Sequence, residues 1–513
     1  MIAPWKNPEW IRNCRAQLRI GRAVTAAGIC AVLSVAVGFA LSHSNDPAQR
    51  APRVWGMLFL QTALVTQVVV LLIGGGIACL HAVQREKDQN TFDFQRVTRL
   101  TPLDLALGKL FGAPTLAYFV ALCLIPAAVY GAIIARVSLP NILAAYLVIV
   151  LGSVAGHALA LLISVFIPKN ASTGAVILFL LVIGMTARSD ALTFSLHNVS
   201  PFAAASIVEQ MGAPPQTMMM FNGRELTFPD PLRDVFFGYS VNHVVVLGVL
   251  YVTFGAWFLL GVTRNIKRDP AVYSLYSPVQ SLGVIFYINV IWLGFFRQLT
   301  PAYLNQHFPY WQYESESTLL GLNTAVFVAM GLALLRNRDQ VRRRLRELGP
   351  RVSEWMESFW PAPYLIAGVA VVGMAVIWFV NRMRVSGSNW SASIGALRVV
   401  FLGVWLVRDL VFLQWMNLRR GKRPLMLGVL YLAVFYTCSL TVFGFLGYFG
   451  WKPGHLALTA FFLPSAVFGL NGSEWAATPQ VWIVALAAQA VVAGVFVYLG
   501  RERLKELAGP RIT

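Results

Sequence analysis

Apolar runs long enough to cross a bilayer recur along this chain, and no other feature of the sequence restricts its fold as tightly. A span needs roughly 20 predominantly apolar residues. Lipid offers no partner for backbone N–H and C=O groups, so each run must close its own hydrogen bonds as a helix. The runs fall at about 22–42, 54–80, 110–135, 141–167, 172–187, 242–263, 278–298, 318–336, 361–381, 394–416, 425–449 and 480–500. Charged residues make up 12% of the chain and hydrophobic ones 57%, against roughly 25% charged in a soluble domain. The expectation is an all-α polytopic membrane protein of about twelve transmembrane helices.

A net charge of +19 could point to nucleic acid. The basic residues are instead spread over short loops between spans, with no stripe interleaved with stacking aromatics, which is a membrane-orientation pattern. Placing the amino terminus inside puts most of the 41 Lys and Arg on the cytoplasmic face. Both termini are therefore expected in the cytoplasm, in the inner or plasma membrane, and nucleic acid is not an expected partner. The first 20 residues are basic, carry Trp5 and Trp10, and lack a convincing small-residue cleavage site. They read as an interfacial helix on membrane lipid before an uncleaved first span, with a signal peptide as the alternative. Cys14, Cys30, Cys79, Cys123 and Cys438 all fall in spans or on the cytoplasmic side, so no disulfide framework is expected.

The chain divides into two six-helix halves, 1–263 and 264–513, at a basic link of Arg264, Lys267 and Arg268. Ser277, Pro278 and Gln280 then open the seventh span as a capped helix. Between the fifth and sixth spans, Thr217–Phe221 and Arg224–Phe228 flank Asn222 and Gly223, a pair suited to a two-residue turn, so a small external β-hairpin is expected. Met211, Met218, Met219 and Met220 are soft ligands, but strand alternation sends Met219 to the face opposite its neighbours, and no metal site is expected. In the second half, Val341, Leu345, Leu348, Val352, Trp355 and Phe359 make one apolar stripe, broken at Gly349 and Pro350. That segment is either a contact for a soluble partner or a pair of interfacial helices resting on anionic lipid.

The charged interruption His81–Lys109 separates two of the apolar runs and must lie in water. Within it, Thr101, Pro102 and Asp104 form a helix start: a hydroxyl to accept an orphan N–H, a proline preset at the first helical position and a carboxylate one turn in. Phe92, Phe94, Val97 and Leu100 stand among Arg85, Glu86, Lys87, Asp88, Asp93, Arg96 and Arg99. This mixture suits docking on a soluble protein, and an ordinary solvated loop is the bland alternative.

The run Arg85, Glu86, Lys87, then Thr91, Phe92, Asp93, then Thr101, Pro102, Leu103 and finally Gly108, Lys109 resembles the loop after the second span of type-2 ATP-binding-cassette (ABC) permeases. Asn7, Pro8 and Arg12 resemble the same family ahead of its first span. The likeness extends to about Thr263. It departs at Asn90, where the family usually has glycine, and at Phe94 and Gln95, which replace a leucine-rich pair. The resemblance implies a coupling helix in this loop, an ABC ATPase subunit as partner with ATP and Mg held there, and export in preference to import. The second half reads either as a divergent counterpart of the first or as an appendage around a homodimer, and a second copy or a further membrane subunit is a candidate partner. The chain itself has no Walker A sequence, HExxH, CxxC or GxSxG, so no bound cofactor and no enzymatic activity of its own are expected. An ion-coupled secondary transporter and a membrane-embedded lipid or polyprenyl transferase are the competing readings.

Ionisable groups inside spans are costly and mark function or a partner. His157 is read as a hydrogen bond between helices or a proton carrier, and Arg398 as a boundary residue. Arg408 and Asp409 point about 100° apart on their helix, so each should meet another helix or a cavity, as a structural anchor or in the substrate path.

Overall fold

The computed structural model describes residues 6–43, 50–92, 98–166, 239–267, 275–295, 389–421, 424–448 and 479–508, with shorter stretches between them. It is mostly helical, and among the described residues seven helices are long and apolar enough to cross a membrane. The protein is a multi-pass membrane protein on that ground. Near residue 270 the chain divides into two compact units, one built on Met1–Pro270 and the other on Ala271–Phe296 and the chain from Glu314.

The first unit begins with α1, Pro8–Gln17, and α2, Ile20–Ser42. Only Cys30 of α2 is buried, while Ile20, Val24, Val32, Val35 and Phe39 stand exposed, as suits side chains facing lipid. Helix α3 runs without a break over Pro52–Asp88 and contains a π-helical segment at Val69–Gly75. Then come α4, Pro102–Gly112, α5, Thr115–Ala135, and α6, Leu139–Phe166. Two short antiparallel strand pairs follow: β1, Met219–Phe221, on β2, Arg224–Leu226, with Met220 opposite Glu225, and β3, Arg233–Phe236, on β4, Tyr239–Asn242. Helix α7, His243–Asn265, closes the unit, its first turn capped by Asn242 Oδ1 on Val244 N at 2.9 Å.

Lipid tails are as apolar as leucine, so helices here hold together by close packing of small residues and by polar contacts. Helices α3 and α5 meet backbone to backbone. A Cβ added to Gly131 would lie 2.9 Å from Leu60 N, and one added to Gly56 the same distance from Ala135 N. Helix α6 buries a face of small and polar residues, among them Gly152, Ser153, Gly156, His157, Ala160 and Ser164.

The second unit contains α8, Pro278–Phe295, α9, Asn389–Asn417, α10, Pro424–Tyr448, and α11, Pro479–Ala508. Gln280 Oε1 accepts from Ser277 N and Ser277 Oγ from Gln280 N, a reciprocal cap at the start of α8. Phe401 and Trp405 of α9 pack on Trp482 and Ala485 of α11, with the Phe401 and Trp482 rings edge to face at 5.5 Å.

Two sequence expectations need adjustment. The second apolar helix does not stop near Leu80 but carries His81–Asp88 in helical form, because Gln84, Glu86 and Lys87 each find a partner on another element. The third run is two helices, α4 and α5, parted at Ala113–Pro114. The expected spans at 172–187, 318–336 and 361–381, and the stripe from Val341 to Phe359, lie largely outside the described residues.

Candidate functional site

The end of α3, helix α4 and helix α1 converge on a buried ionic cluster. Asn7 starts it. Its Oδ1 accepts from Glu9 N at 3.0 Å and Trp10 N at 3.4 Å, with Pro8 at the first helical position, so the side chain caps α1. Its Nδ2 donates to Asp104 O at 2.6 Å, fastening the cap to α4. Helix α4 is capped as its sequence implies: Thr101 Oγ1 accepts from Asp104 N at 3.1 Å and donates to Asp104 Oδ2 at 2.6 Å.

Lys109 is fully buried, its Nζ 2.7 Å from both oxygens of Glu86 and 3.1 Å from Glu9 Oε1. Arg12 closes the ring, with Nη2 at 2.8 Å from Glu9 and 3.1 Å from Glu86. Two carboxylates thus meet two cations, Lys109 fully buried and Arg12 at the solvent edge with its side chain 58% exposed. Close approach is possible because Gly108 has no side chain: a Cβ there would lie 2.8 Å from Asn7 Oδ1 and from Glu9 Cβ. Further along α1, the Gln17 amide bridges the α4–α5 break, giving to Ala113 O at 2.5 Å and taking from Leu116 N at 3.1 Å. A buried ion pair adds little net stability when complete, yet losing one partner strands a charge and costs about 3–5 kcal/mol. The cluster therefore fixes the mutual positions of α1, α3 and α4 more than it raises stability.

The other loop residues divide by role. Lys87 Nζ donates to Ser164 O and Val165 O, both at 2.7 Å, placing its charge on the negative end of α6. Phe92 is buried, with Lys87 Nζ 5.8 Å from its ring centre. Asn90 adopts φ 57°, while Asn90 N bonds Lys87 O and Thr91 N bonds Glu86 O. This is a Schellman ending, whose left-handed residue is normally Gly and sometimes Asn. Arg85, Thr91, Thr101 and Pro102 are exposed, as are Arg99 and Phe94, the latter 74% exposed. Lys267, past the end of α7, reaches Thr98 O at 2.7 Å. Asp93 lies outside the described residues.

Of the loop residues singled out in the sequence, Glu86, Gly108 and Lys109 come together, joined by Asn7 and Arg12 from the amino-terminal match. Sequence reasoning missed Glu9. Its signal was present: it is the lone acid before Asp46 in a basic stretch, and Lys109 is a lone cation in an apolar one.

His157 is buried on α6, where Nε2 must donate to Leu71 O at 2.7 Å, leaving Nδ1 to accept from Tyr118 OH at 3.1 Å. Arg408 and Asp409 bond each other, with Nε and Nη2 at 2.8 and 2.5 Å from Asp409 Oδ1. Arg408 Nη1 also reaches Gln489 Oε1 on α11 at 2.7 Å, and Tyr436 OH on α10 bonds both residues. The guanidinium sits 3.7 Å from the Trp405 ring centre. These contacts tie α9, α10 and α11 together. Arg398 lies on α9. No group of three or more His, Cys, Asp or Glu is arranged for a metal among the described residues.

No family model, curated protein or solved structure matches the chain.

Proposed function

We propose that the chain is the membrane-spanning permease subunit of an ATP-binding-cassette transporter, an exporter driven by a separate ATPase that pushes on the cytoplasmic segment from Arg85 to Lys109. One observation carries the reading: the buried Glu9–Arg12–Glu86–Lys109 cluster binds the loop's two flanking helices and the amino-terminal helix into one stiff unit, leaving a mixed charged and aromatic surface outside it. A segment built to transmit force needs both properties. Rigidity comes from the cluster and from Lys87 on the end of α6, and the contact surface from Arg85, Phe94 and Arg99.

Both termini then lie in the cytoplasm, and the strand pair at Met219–Leu226 projects outside. The remaining spans complete about twelve, and the second half supplies the other side of the pathway or surrounds a homodimer. ATP and Mg are held by the partner.

An ion-coupled carrier would need an ionisable group able to change partners within the membrane. Asp409 is engaged by Arg408 and Tyr436, which disfavours that reading.

Purification of the chain with its native partners, followed by an ATP hydrolysis assay, tests the proposal. A nucleotide-hydrolysing subunit should co-purify, and Arg85→Glu with Phe94→Ala should lower coupled transport while the membrane helices stay folded. Glu86 is unsuited to such a test, because its reversal would break the buried cluster. Full transport by the lone chain in liposomes under an ion gradient would refute the proposal.

A further inference from the structure

Three stretches of the second unit bring arginines together at one end of its helices. The chain at Leu335–Arg336 is pinned to α9, where Gln414 Nε2 donates to Arg336 O at 2.9 Å and Gln414 Oε1 accepts from Arg336 N at 3.0 Å. Gly331 permits the approach, since a Cβ there would lie 2.6 Å from Leu410 Cδ2. The pin sets Arg338 and Arg342 beside Arg419 and Arg420, just past the end of α9 at Asn417. Helix α11 packs on the same stretch of α9 through Phe496, its ring centre 5.1 Å from that of Phe412 and 5.9 Å from that of Trp415, and two turns later carries Arg503.

The Arg338 guanidinium is held below its usual pKa by partial burial and by Arg342 and Arg420, with Asp339 opposing and Arg503 adding to the cations. Arg503 is paired with Glu506 at 2.6 Å. Among the described residues, Arg338, Arg342, Arg419 and Arg420 make no ion pair. Arg419 and Arg420 stand exposed, so the cations are open to a ligand from outside. Like charges gathered from separate elements repel, and salt screens only part of that repulsion, so the surface is complementary to an anion.

The neighbours say which anion. The Arg419 guanidinium lies 5.0 Å from the Trp415 ring centre, and Trp and Tyr gather where a bilayer meets water. On the membrane side of the cluster, Met426 and Leu430 of α10 and Val495 and Tyr498 of α11 stand exposed. A docking surface for a soluble protein carries apolar anchors among its charges, whereas the exposed turn here is Arg419, Arg420 and Gly421. We propose that Arg338, Arg342, Arg419 and Arg420 hold the phosphate of an anionic phospholipid whose acyl chains lie along α10 and α11. Guanidinium groups fork onto phosphate oxygens, and a zwitterionic lipid brings an ammonium that the other arginines repel. The proposal uses the second unit alone and holds whether or not an ATPase drives the chain.

The test places the full chain in nanodiscs of equal parts phosphatidylcholine and phosphatidylglycerol and reads the retained lipid by native mass spectrometry. Wild type should keep phosphatidylglycerol in preference. An arginine at a membrane surface contributes about fivefold in affinity for anionic lipid, so Arg338→Gln/Arg420→Gln should weaken retention about 25-fold. Its Tm in phosphatidylcholine alone should be no lower than that of wild type, and Arg338→Lys/Arg420→Lys, which keeps the charge, should keep most of the lipid. Arg22→Gln/Arg53→Gln takes the same charge from exposed positions of the first unit and should retain phosphatidylglycerol as wild type does. Equal retention of both lipids by wild type, or equal losses in the two glutamine variants, would overturn the proposal. So would displacement of the phosphatidylglycerol by millimolar inorganic phosphate, the mark of a free-anion site, or retention of an acidic soluble protein in place of lipid.

Discussion

Replacing Lys109 by Met removes the fully buried cation from a four-charge ring and leaves Glu9 and Glu86 facing each other. Arg12 still bonds both, with a side chain 58% exposed and therefore well screened by water. Losing one member of a buried pair costs about 3–5 kcal/mol, and the surviving Arg12 contacts argue for the lower end, about 3 kcal/mol. In a unit of a few hundred residues that corresponds to a fall in Tm of about 6–12 °C. The assay is thermal unfolding of the detergent-purified chain, with Lys505→Met as control. Lys505 pairs with Glu502 at 2.8 Å on a solvated stretch of α11, with side chains 59% and 43% exposed, and such a pair contributes under about 1 kcal/mol. The double variant Lys109→Met/Glu86→Gln should recover much of the loss, since it removes a charge of each sign. If Lys109→Met behaves like Lys505→Met, or if the double variant is as unstable as the sum of its parts, the cluster does not fasten α1 to the loop.

Three further outcomes follow from particular contacts. Asn90→Gly should leave stability unchanged or slightly raised, whereas Asn90→Val should cost about 1–2 kcal/mol, because the left-handed φ of 57° at the end of α3 is hostile to a β-branched side chain; limited proteolysis and Tm both read this. Gly131→Val should drive α5 away from the Leu60 backbone of α3 and lower Tm by an amount equivalent to about 1–3 kcal/mol. In the second unit, Arg408→Leu should destabilise by about 3 kcal/mol through the stranded Asp409, and adding Asp409→Leu should restore most of it, as measured by thermal unfolding of the three chains side by side.

Much of this architecture was legible in the sequence because helices in lipid answer to local rules. Apolar length located α2, α6 and α7 to within a few residues, and Thr101, Pro102 and Asp104 announced the start of α4 through chemistry confined to one turn. The end of α3 was less legible. His81–Asp88 reads as a solvated charged stretch until Gln84 and Lys87 are seen on carbonyls of α6 and Glu86 on Lys109, contacts between residues 23 to 80 positions apart. The odd placement of Asn90 where glycine is usual has a simple cause in the positive φ, which only the backbone displays. The partner of Lys109 was hidden for the same reason of distance: Glu9 lies 100 residues away, and a lone acid in a basic segment says that a partner exists without saying which. Arg408 and Asp409 show how far a long side chain departs from the direction of its Cβ. Helical geometry sends their Cβ atoms apart, yet the long guanidinium folds back to its neighbour while also reaching Tyr436 and Gln489. The π segment at Val69–Gly75 left no mark in a run of Val, Leu, Ile and Gly.

The most direct measurement of the central claim is photo-crosslinking from position 94. Phe94 is 74% exposed in the loop that follows α3, so a photoreactive residue there should capture a partner that hydrolyses ATP, in native membranes and at higher yield when nucleotide is trapped. A probe in the strand pair at Met219–Leu226 should not. Capture of lipid alone from position 94, or of a partner confined to the outer side of the membrane, would contradict the account.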